Sequence, residues 1–233
     1  MVNSIMLDLA FHTIIISLAE LTKKPKEYFC EYVGQPEPVK CHPVDFCANN
    51  DVLSYEPNMK LSDSYYNWIS TFGLECASAY EIGMITTSFF IGWVIAIPVI
   101  TRLADTFSRV RLIQFGAACQ VLNFLVLLNG TSYEALVTFM VLQGLLRSIF
   151  AFVNAMFIYE SFIRSHYTIG SMTNALTQAV FAILSILYFI FISKSVDGMI
   201  YGCAILSAIG TIGSFFYSEP PRYLIKKQEF KQA

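Results

Sequence analysis

Charged residues make up only 14% of this chain of 233 residues, against about 25% in a typical soluble domain. Histidine is scarcer still, with three residues, and no H-E-x-x-H, G-x-S-x-G or glycine-rich phosphate loop occurs. No basic run could hold a nucleic acid, and the net charge is −2. The sequence therefore excludes a soluble enzyme and predicts no enzyme activity, no cofactor, no metal site and no nucleic-acid partner.

Apolar residues, in contrast, reach 55% and lie in long runs. A membrane helix needs roughly 20 mostly apolar residues, so the lipid bilayer is the first partner that the sequence implies. Five segments meet this length: Ile82–Thr101, Leu112–Asn129, Tyr133–Tyr159, Met172–Ser193 and Met199–Tyr217.

A sixth apolar segment, Ile5–Glu20, is shorter and contains Asp8 and His12. Signal peptides begin with a basic region, and this segment has no early lysine or arginine. We interpret it as a first membrane helix, with a cleaved signal peptide as the alternative. The predicted fold class is an all-α membrane protein with six transmembrane helices and an extramembrane, cysteine-containing loop domain between helices 1 and 2.

The basic residues of the short loops predict the orientation, because they concentrate on the inside of a membrane. One side holds eight: Arg102, Arg109, Arg111, Arg164, Arg222, Lys226, Lys227 and Lys231. The opposite short loops hold only Lys194. This bias places both termini inside, with residues 1–21 as the first helix, 22–80 as the outer loop domain, 81–217 as helices 2–6 and 218–233 as an inner tail.

The outer segment contains Cys30, Cys41, Cys47 and Cys76, which predict two disulfides in one of three connectivities. A zinc site is the alternative, although the usual C-x2-4-C spacing is absent. Disulfides imply an oxidising compartment outside the cytosol. The membrane would be the plasma membrane or an organelle membrane, the mitochondrial inner membrane included.

Polar residues inside the spans are costly, and they mark either a site or a structural pair. Gln143 and Arg147 share one face of the fourth span, and Asp8 and His12 share one face of the first. The functional interpretation is a site for an anionic substrate or a proton relay. The structural one is a buried Asp8–Arg147 pair. Gln120 and Asn123 in the third span would line a polar path or join neighbouring helices by hydrogen bonds.

Three motifs point to a family. Residues 102–109 read R-L-A-D-T-F-S-R, residues 72–76 read F-G-L-E-C, and residues 218–224 read S-E-P-P-R-Y-L. The first resembles the G-x-L-A-D-R-x-G-R loop of the major facilitator superfamily. The other two resemble motifs of its organic cation and anion transporters, before the second helix and after the sixth. The resemblance implies the N-terminal six-helix half of such a transporter.

The resemblance also implies site residues. The loop motif retains Leu103, Ala104, Asp105 and Arg109, whereas Thr101, Thr106 and Ser108 replace its two glycines and central arginine. The inside-face signature retains Glu160, Glu219 and Arg222. The family's E-x6-R pattern is broken, because Tyr167 stands seven residues after Glu160, and Arg164 or His166 would have to substitute.

Two functions remain open. The first is a repurposed half-transporter that serves as a non-autonomous accessory or scaffold subunit of a larger membrane complex, beside other membrane proteins. The second is a transporter of small organic ions that works by alternating access after pairing with a second half. The shortness of the chain and its altered loop motif favour the first, and the retained Asp105, Arg109, Glu160 and Arg222 favour the second.

Overall fold

The computed structural model describes most of the chain between Lys24 and Tyr217. The described residues are 24–25, 27–33, 37–48, 52–60, 64, 66–161 and 167–217. Several expectations fall outside them: the first helix with Asp8 and His12, and the tail with Glu219 and Arg222. The two candidate substitutes Arg164 and His166 also lie outside the described residues.

The remaining predicted membrane segments are helical. They form α3 (Ala79–Thr106), α4 (Arg109–Asn129), α5 (Tyr133–Ser148) with a π-helical turn (Ile149–Val153) and α6 (Asn154–Ser161), α7 (Tyr167–Phe191) and α8 (Asp197–Ser214). Among the described residues, three stretches are long and apolar enough to cross a membrane: Ala79–Thr106, Arg109–Asn129 and Tyr133–Phe157. A shorter apolar stretch, Ala175–Phe191, belongs to α7.

Serine residues precede and cap helices α3, α4 and α5. Ser78, Ser108 and Ser132 have extended backbones, and each side chain accepts a hydrogen bond from an amide of the first turn. Ser78 and Glu81 form a complete capping box, with the Ser78 amide donating to the Glu81 carboxylate over 2.7 Å. Such caps satisfy amides that a helix leaves unpaired, so they define where each membrane helix begins.

Helices α3 and α5 pack backbone to backbone at two glycines. A Cβ atom at Gly92 would overlap the carbonyl oxygen of Val141, and one at Gly144 would overlap the carbonyl oxygen of Phe89. Small residues allow membrane helices to approach closely enough for dispersion forces to hold them together. This contact is the most extensive one between helices and fixes α5 relative to α3.

Helix α4 is joined to α8 by side chains that donate hydrogen bonds to backbone carbonyls. Thr211 Oγ1 lies 3.1 Å from the Ala117 oxygen, and Gln114 Nε2 lies 3.0 Å from the Ser214 oxygen. Apolar side chains of α3, α4 and α5 fill the space beside these contacts, with Ile113, Phe124 and Phe139 at most 1% exposed. The described helices therefore form one packed unit.

A small antiparallel sheet precedes the helices, with strand order β2-β1-β3. It contains β1 (Tyr28–Tyr32), β2 (Val39–Cys41) and β3 (Val52–Pro57), and α1 (Pro43–Ala48) connects the last two. The all-α expectation was therefore incomplete. The strands are short, and buried and exposed residues do not alternate clearly along them, so the sequence shows no strand pattern there. Disulfides join Cys30 to Cys41 across β1 and β2, and Cys47 of α1 to Cys76. The predicted disulfides are thus present in this segment.

A short helix, α2 (Trp68–Thr71), connects the sheet to the bundle. Its Trp68 is fully buried and meets the Phe139 ring edge-on, with centroids 6.1 Å apart. The Tyr66 amide donates to the Lys194 oxygen over 2.9 Å, and the Val196 amide donates to the Tyr66 oxygen over 3.0 Å. We call this the sheet end of the bundle, and the end that carries residues 102–109 the motif end.

Candidate functional site

Three amide side chains meet near the middle of α4 and α5. Gln120 Nε2 and Asn123 Nδ2 both donate to Gln143 Oε1, each over 3.0 Å. Asn123 Nδ2 also lies 3.2 Å from the Phe139 oxygen. All three residues are at most 2% exposed. We call Gln120, Asn123 and Gln143 the amide cluster, and it joins the two helices as the hydrogen-bonding interpretation expected.

Not every polar atom of the amide cluster forms a hydrogen bond. Gln120 Oε1, Asn123 Oδ1 and Gln143 Nε2 are buried without a hydrogen-bond partner in the described structure. A buried polar atom without a partner costs roughly 1–3 kcal/mol. At the centre of the bundle, two oxygens can therefore accept hydrogen bonds from a polar molecule or water, and one N–H group can donate to it.

Arg147 lies one helical turn beyond Gln143 and is 8% exposed. Both residues are buried, and their assignment to an intramembrane polar site stays a prediction. The predicted partner Asp8 and its neighbour His12 lie outside the described residues, so the Asp8–Arg147 pair stays a prediction.

A π-helical turn begins two residues after Arg147, over Ile149–Val153. Such turns widen a helix by one residue per turn and occur frequently at functional sites. Here the turn re-aims the side chains that follow, so α6 presents Glu160 at the motif end. The sequence carries no local signal for it, because the apolar run from 149 to 153 fits an ordinary helix equally well.

An ion pair closes the motif end. Arg109 Nη2 lies 3.0 Å from Glu160 Oε1, with 7% and 23% of the two side chains exposed. The sequence named both residues but did not pair them. A hint was available, since both stand at the ends of spans that the basic-residue count places on the same side of the membrane.

The other loop-motif residues differ in their exposure. Ala104 is 2% exposed, and Leu103 packs against the apolar cluster of the motif end. Asp105, in contrast, is exposed in the last turn of α3. The loop thus has a buried side that packs and an exposed carboxylate that faces outward.

The comparisons with known proteins agree with this arrangement. The family model described as Major Facilitator Superfamily matches residues 52–233, well over half of the chain. The chain belongs to the major facilitator superfamily. It is accordingly a transporter-type membrane protein, and the lipid bilayer is its environment.

A solved structure shows the same fold. The crystal structure of a D-xylose-proton symporter matches 99% of this chain with a TM-score of 0.59 and 15% sequence identity. The match covers 52% of the symporter chain, so this chain spans about half its length. No curated protein sequence matches the chain.

Where the chain departs from the superfamily loop motif, its side chains bind locally. Thr101 Oγ1 and Thr106 Oγ1 donate to carbonyls of α3, 3.0 Å from the Ile97 oxygen and 2.9 Å from the Arg102 oxygen. Ser108 caps α4 by accepting the Arg111 amide over 3.3 Å. Each of these three hydroxyls thus has a structural role in its own helix.

Sequence reasoning gave no role to a second polar site, which lies outside the membrane helices at the sheet end. Glu75, quoted only as part of the F-G-L-E-C motif, is 3% exposed there. Burial raises the pKa of its carboxyl, although the nearby Lys24 ammonium lowers it in part. Burial also raises the pKa of the Tyr55 hydroxyl, and the neighbouring Glu75 charge adds to this effect.

Proposed function

We propose that the chain forms one half of a transporter for small organic ions. The observation that carries this proposal is the amide cluster, with its three unpartnered polar atoms in the centre of a membrane bundle. Polar groups at that depth are costly and mark substrate pathways in many membrane proteins. The two motifs that resemble those of organic cation and anion transporters support the substrate class, and superfamily membership supports the activity class.

In the proposed mechanism the described helices move as a rigid unit. Alternating access rocks one repeat against another around a site at the bilayer midplane. The glycine contacts of Gly92 and Gly144 hold α3 to α5, and the Thr211 and Gln114 hydrogen bonds hold α4 to α8. The amide cluster would offer hydrogen bonds to the substrate's polar groups, and Arg147 would supply positive charge nearby.

The opposing half would come from a second copy of this chain, from a separate protein, or from further residues of the same protein. In this arrangement the exposed Asp105 would face the second half at the motif end. The Arg109–Glu160 pair would hold the loop in place while the two halves separate and close.

The accessory-subunit function is the second candidate, and the altered loop motif favours it. Thr106 replaces the central arginine, and its hydroxyl is bonded within α3. The ion pair at the motif end lies within this half, so the half has a folded motif end of its own. A protein that only holds a complex together would need the packing of this bundle and not its polar centre.

We also retain the predicted topology as part of the proposal. Both termini would lie inside, so the motif end would face the cytosol or the organelle interior. The disulfide-bonded sheet end would then lie in an oxidising compartment.

Uptake measurements distinguish the two functions. The full chain is expressed in cells, and uptake of labelled tetraethylammonium and benzoate is compared with that of cells lacking it. Gln143→Leu removes the shared acceptor of the amide cluster, and we expect it to abolish uptake while the protein still reaches the membrane. Thr138→Val is the control, because Thr138 is exposed on the same helix.

Two results would contradict the transport proposal. One is that cells containing the folded protein and its co-purifying partners take up no more of either labelled ion than control cells do. The other is uptake that Gln143→Leu leaves unchanged. Either result would favour the accessory function.

A further inference from the structure

A pocket of about 500 Å³ opens at the sheet end, between the end of β3 and the segment that leads into α3. It is separate from the amide cluster, which lies within the membrane helices. We call it the sheet-end pocket. Its lining is half polar, and the residues are Tyr55, Glu56, Pro57, Met59, Tyr66, Ser70, Gly73 and Glu75.

The sheet-end pocket contains a buried carboxylate that lacks a full set of partners. Glu75 is 3% exposed, and its Oε2 atom is buried without a hydrogen-bond partner. The neighbouring Lys24 ammonium donates to the main-chain oxygens of Glu75 and Ala77, 2.8 and 2.7 Å away. Its hydrogen bonds are therefore directed to the backbone. The Ser70 and Tyr55 hydroxyls also interact with the Glu75 carboxyl and lower its pKa, and the Oε2 atom is the one left for a ligand.

Two tyrosine rings border the same pocket, with 38% of Tyr55 and 37% of Tyr66 exposed. Tyr55 stacks on Phe46 with ring centroids 4.3 Å apart, which fixes its orientation. Tyr66 is fixed through its backbone, which is paired with residues 194–196. The Tyr55 ring is thus positioned before any ligand arrives, and the backbone that carries the Tyr66 ring is held in place.

We propose that the sheet-end pocket binds a small organic ammonium ion. A cation that carries methyl or methylene groups is attracted by the faces of tyrosine rings and by a carboxylate, and it needs no hydrogen-bond acceptor. A volume of about 500 Å³ suits a small molecule of this kind. Glu75 supplies the charge, and Tyr55 and Tyr66 supply the aromatic surface.

A metal ion fits the site less well. Calcium takes six to eight oxygen ligands, and zinc takes four nitrogen, sulfur or oxygen ligands. In the part of the chain that the structure describes, no group of three or more histidine, cysteine, aspartate or glutamate residues could hold a metal ion. The aromatic rings have no part in metal binding but match an organic cation.

The proposal goes beyond transport and does not rest on it. The sheet-end pocket lies outside the membrane helices, so its occupancy is measurable as an equilibrium without any flux. If the protein binds the cation but transports nothing, the proposed function is refuted and the proposed binding site still stands.

The test is calorimetric titration of the purified full chain in mild detergent. The probe is choline, and its uncharged carbon analogue 3,3-dimethylbutan-1-ol is the matched ligand control. We expect saturable binding of choline and much weaker binding of the analogue. Glu75→Gln should weaken choline binding by about tenfold or more, since the charge is lost at nearly constant shape.

Variants of Tyr66 keep the proposal testable if Glu75→Gln fails to fold. Tyr66→Leu should weaken choline binding by roughly two- to fivefold, whereas Tyr66→Phe keeps the ring and should leave binding unchanged. Glu37→Gln removes an exposed carboxylate elsewhere in the same segment and should have no effect. Equal affinities for choline and its analogue, no choline binding, or full binding by Glu75→Gln or Tyr66→Leu would overturn the proposal.

Discussion

At the scale of single residues, the ion pair between Arg109 and Glu160 is the contact that holds the motif end together. Both side chains are largely buried, and their nitrogen and oxygen atoms are 3.0 Å apart. A buried pair is often no more stabilising than two apolar residues, but one charge left alone is strongly destabilising. The pair therefore makes α4 and α6 depend on each other.

Removing one partner should cost more than removing both. We expect Arg109→Met or Glu160→Leu alone to destabilise the protein by about 3 kcal/mol, and the double variant to recover much of that loss. The measurement is thermal unfolding of each purified variant in detergent. Arg111→Ala is the control, because this exposed residue lies on the same helix and should change stability by less than about 0.5 kcal/mol. Additive effects of the two single changes would contradict the pairing.

Glu75 predicts a dependence on pH. Burial raises the pKa of its carboxyl in the folded protein, so the folded state holds the proton to a higher pH than the unfolded chain does. The resulting stabilisation is complete below the unfolded pKa, about 4.3, and is lost as the pH rises through the folded pKa. Above the unfolded pKa, the folded protein therefore carries a cost that grows with pH until the folded pKa is passed.

Glu75→Gln should therefore be more stable than the natural protein at neutral pH, and this advantage should shrink as the pH falls. The measurement is the difference in Tm between the two proteins across that range. Lys40 and Asn58 lower the pKa of Glu27, so its contribution to stability changes with pH in the opposite direction. This contribution is the same in both proteins and cancels in the difference in Tm. A difference in Tm that does not change with pH would contradict the assignment.

At the scale of elements, the close packing of α3 on α5 rests on two glycines. A methyl group at Gly92 would collide with Val141, and one at Gly144 would collide with Phe89 and Trp93. Gly83 and Gly202 also lie in helices, but no atom of the described residues lies within 4 Å of a Cβ atom placed there. The four positions thus form a matched set.

Gly92→Ala and Gly144→Ala should each destabilise the bundle by about 1–3 kcal/mol, because neither helix can move away without losing the contact. Gly83→Ala and Gly202→Ala should be neutral or stabilising, by up to about 1 kcal/mol, since alanine favours a helix over glycine. Thermal unfolding in detergent compares the four variants. Equal effects at all four positions would show that the α3–α5 contact is not close-packed.

The described helices could be predicted well because long apolar runs define them. The predicted segment Ile82–Thr101 lies inside α3, and Leu112–Asn129 ends at the last residue of α4. The predicted starts were less accurate. After their serine caps, α3 and α4 each begin three residues before the predicted apolar segment. The π-helical turn could not be predicted, because it depends on packing between helices rather than on local preference.

At the scale of the whole molecule, the sequence could not predict which distant residues pair with each other. Only the structure shows these contacts. The sequence identified four cysteines as partners, but spacing could not choose among three connectivities. It named Gln120, Asn123 and Gln143, but it could not show that two of them share one acceptor. The sheet-end pocket needs β3 and α2 to be placed side by side, which no local pattern of residues encodes.

The central claim is that this bundle works as one half of a two-part transport unit. The most direct measurement is the native mass of the particle that carries the chain, extracted from its own membrane in mild detergent, with its co-purifying proteins identified. We predict a particle of two six-helix units, whether two copies, this chain with a separate half, or one longer protein. A particle many times larger that holds unrelated subunits in fixed ratio would contradict the claim and identify the chain as a structural component.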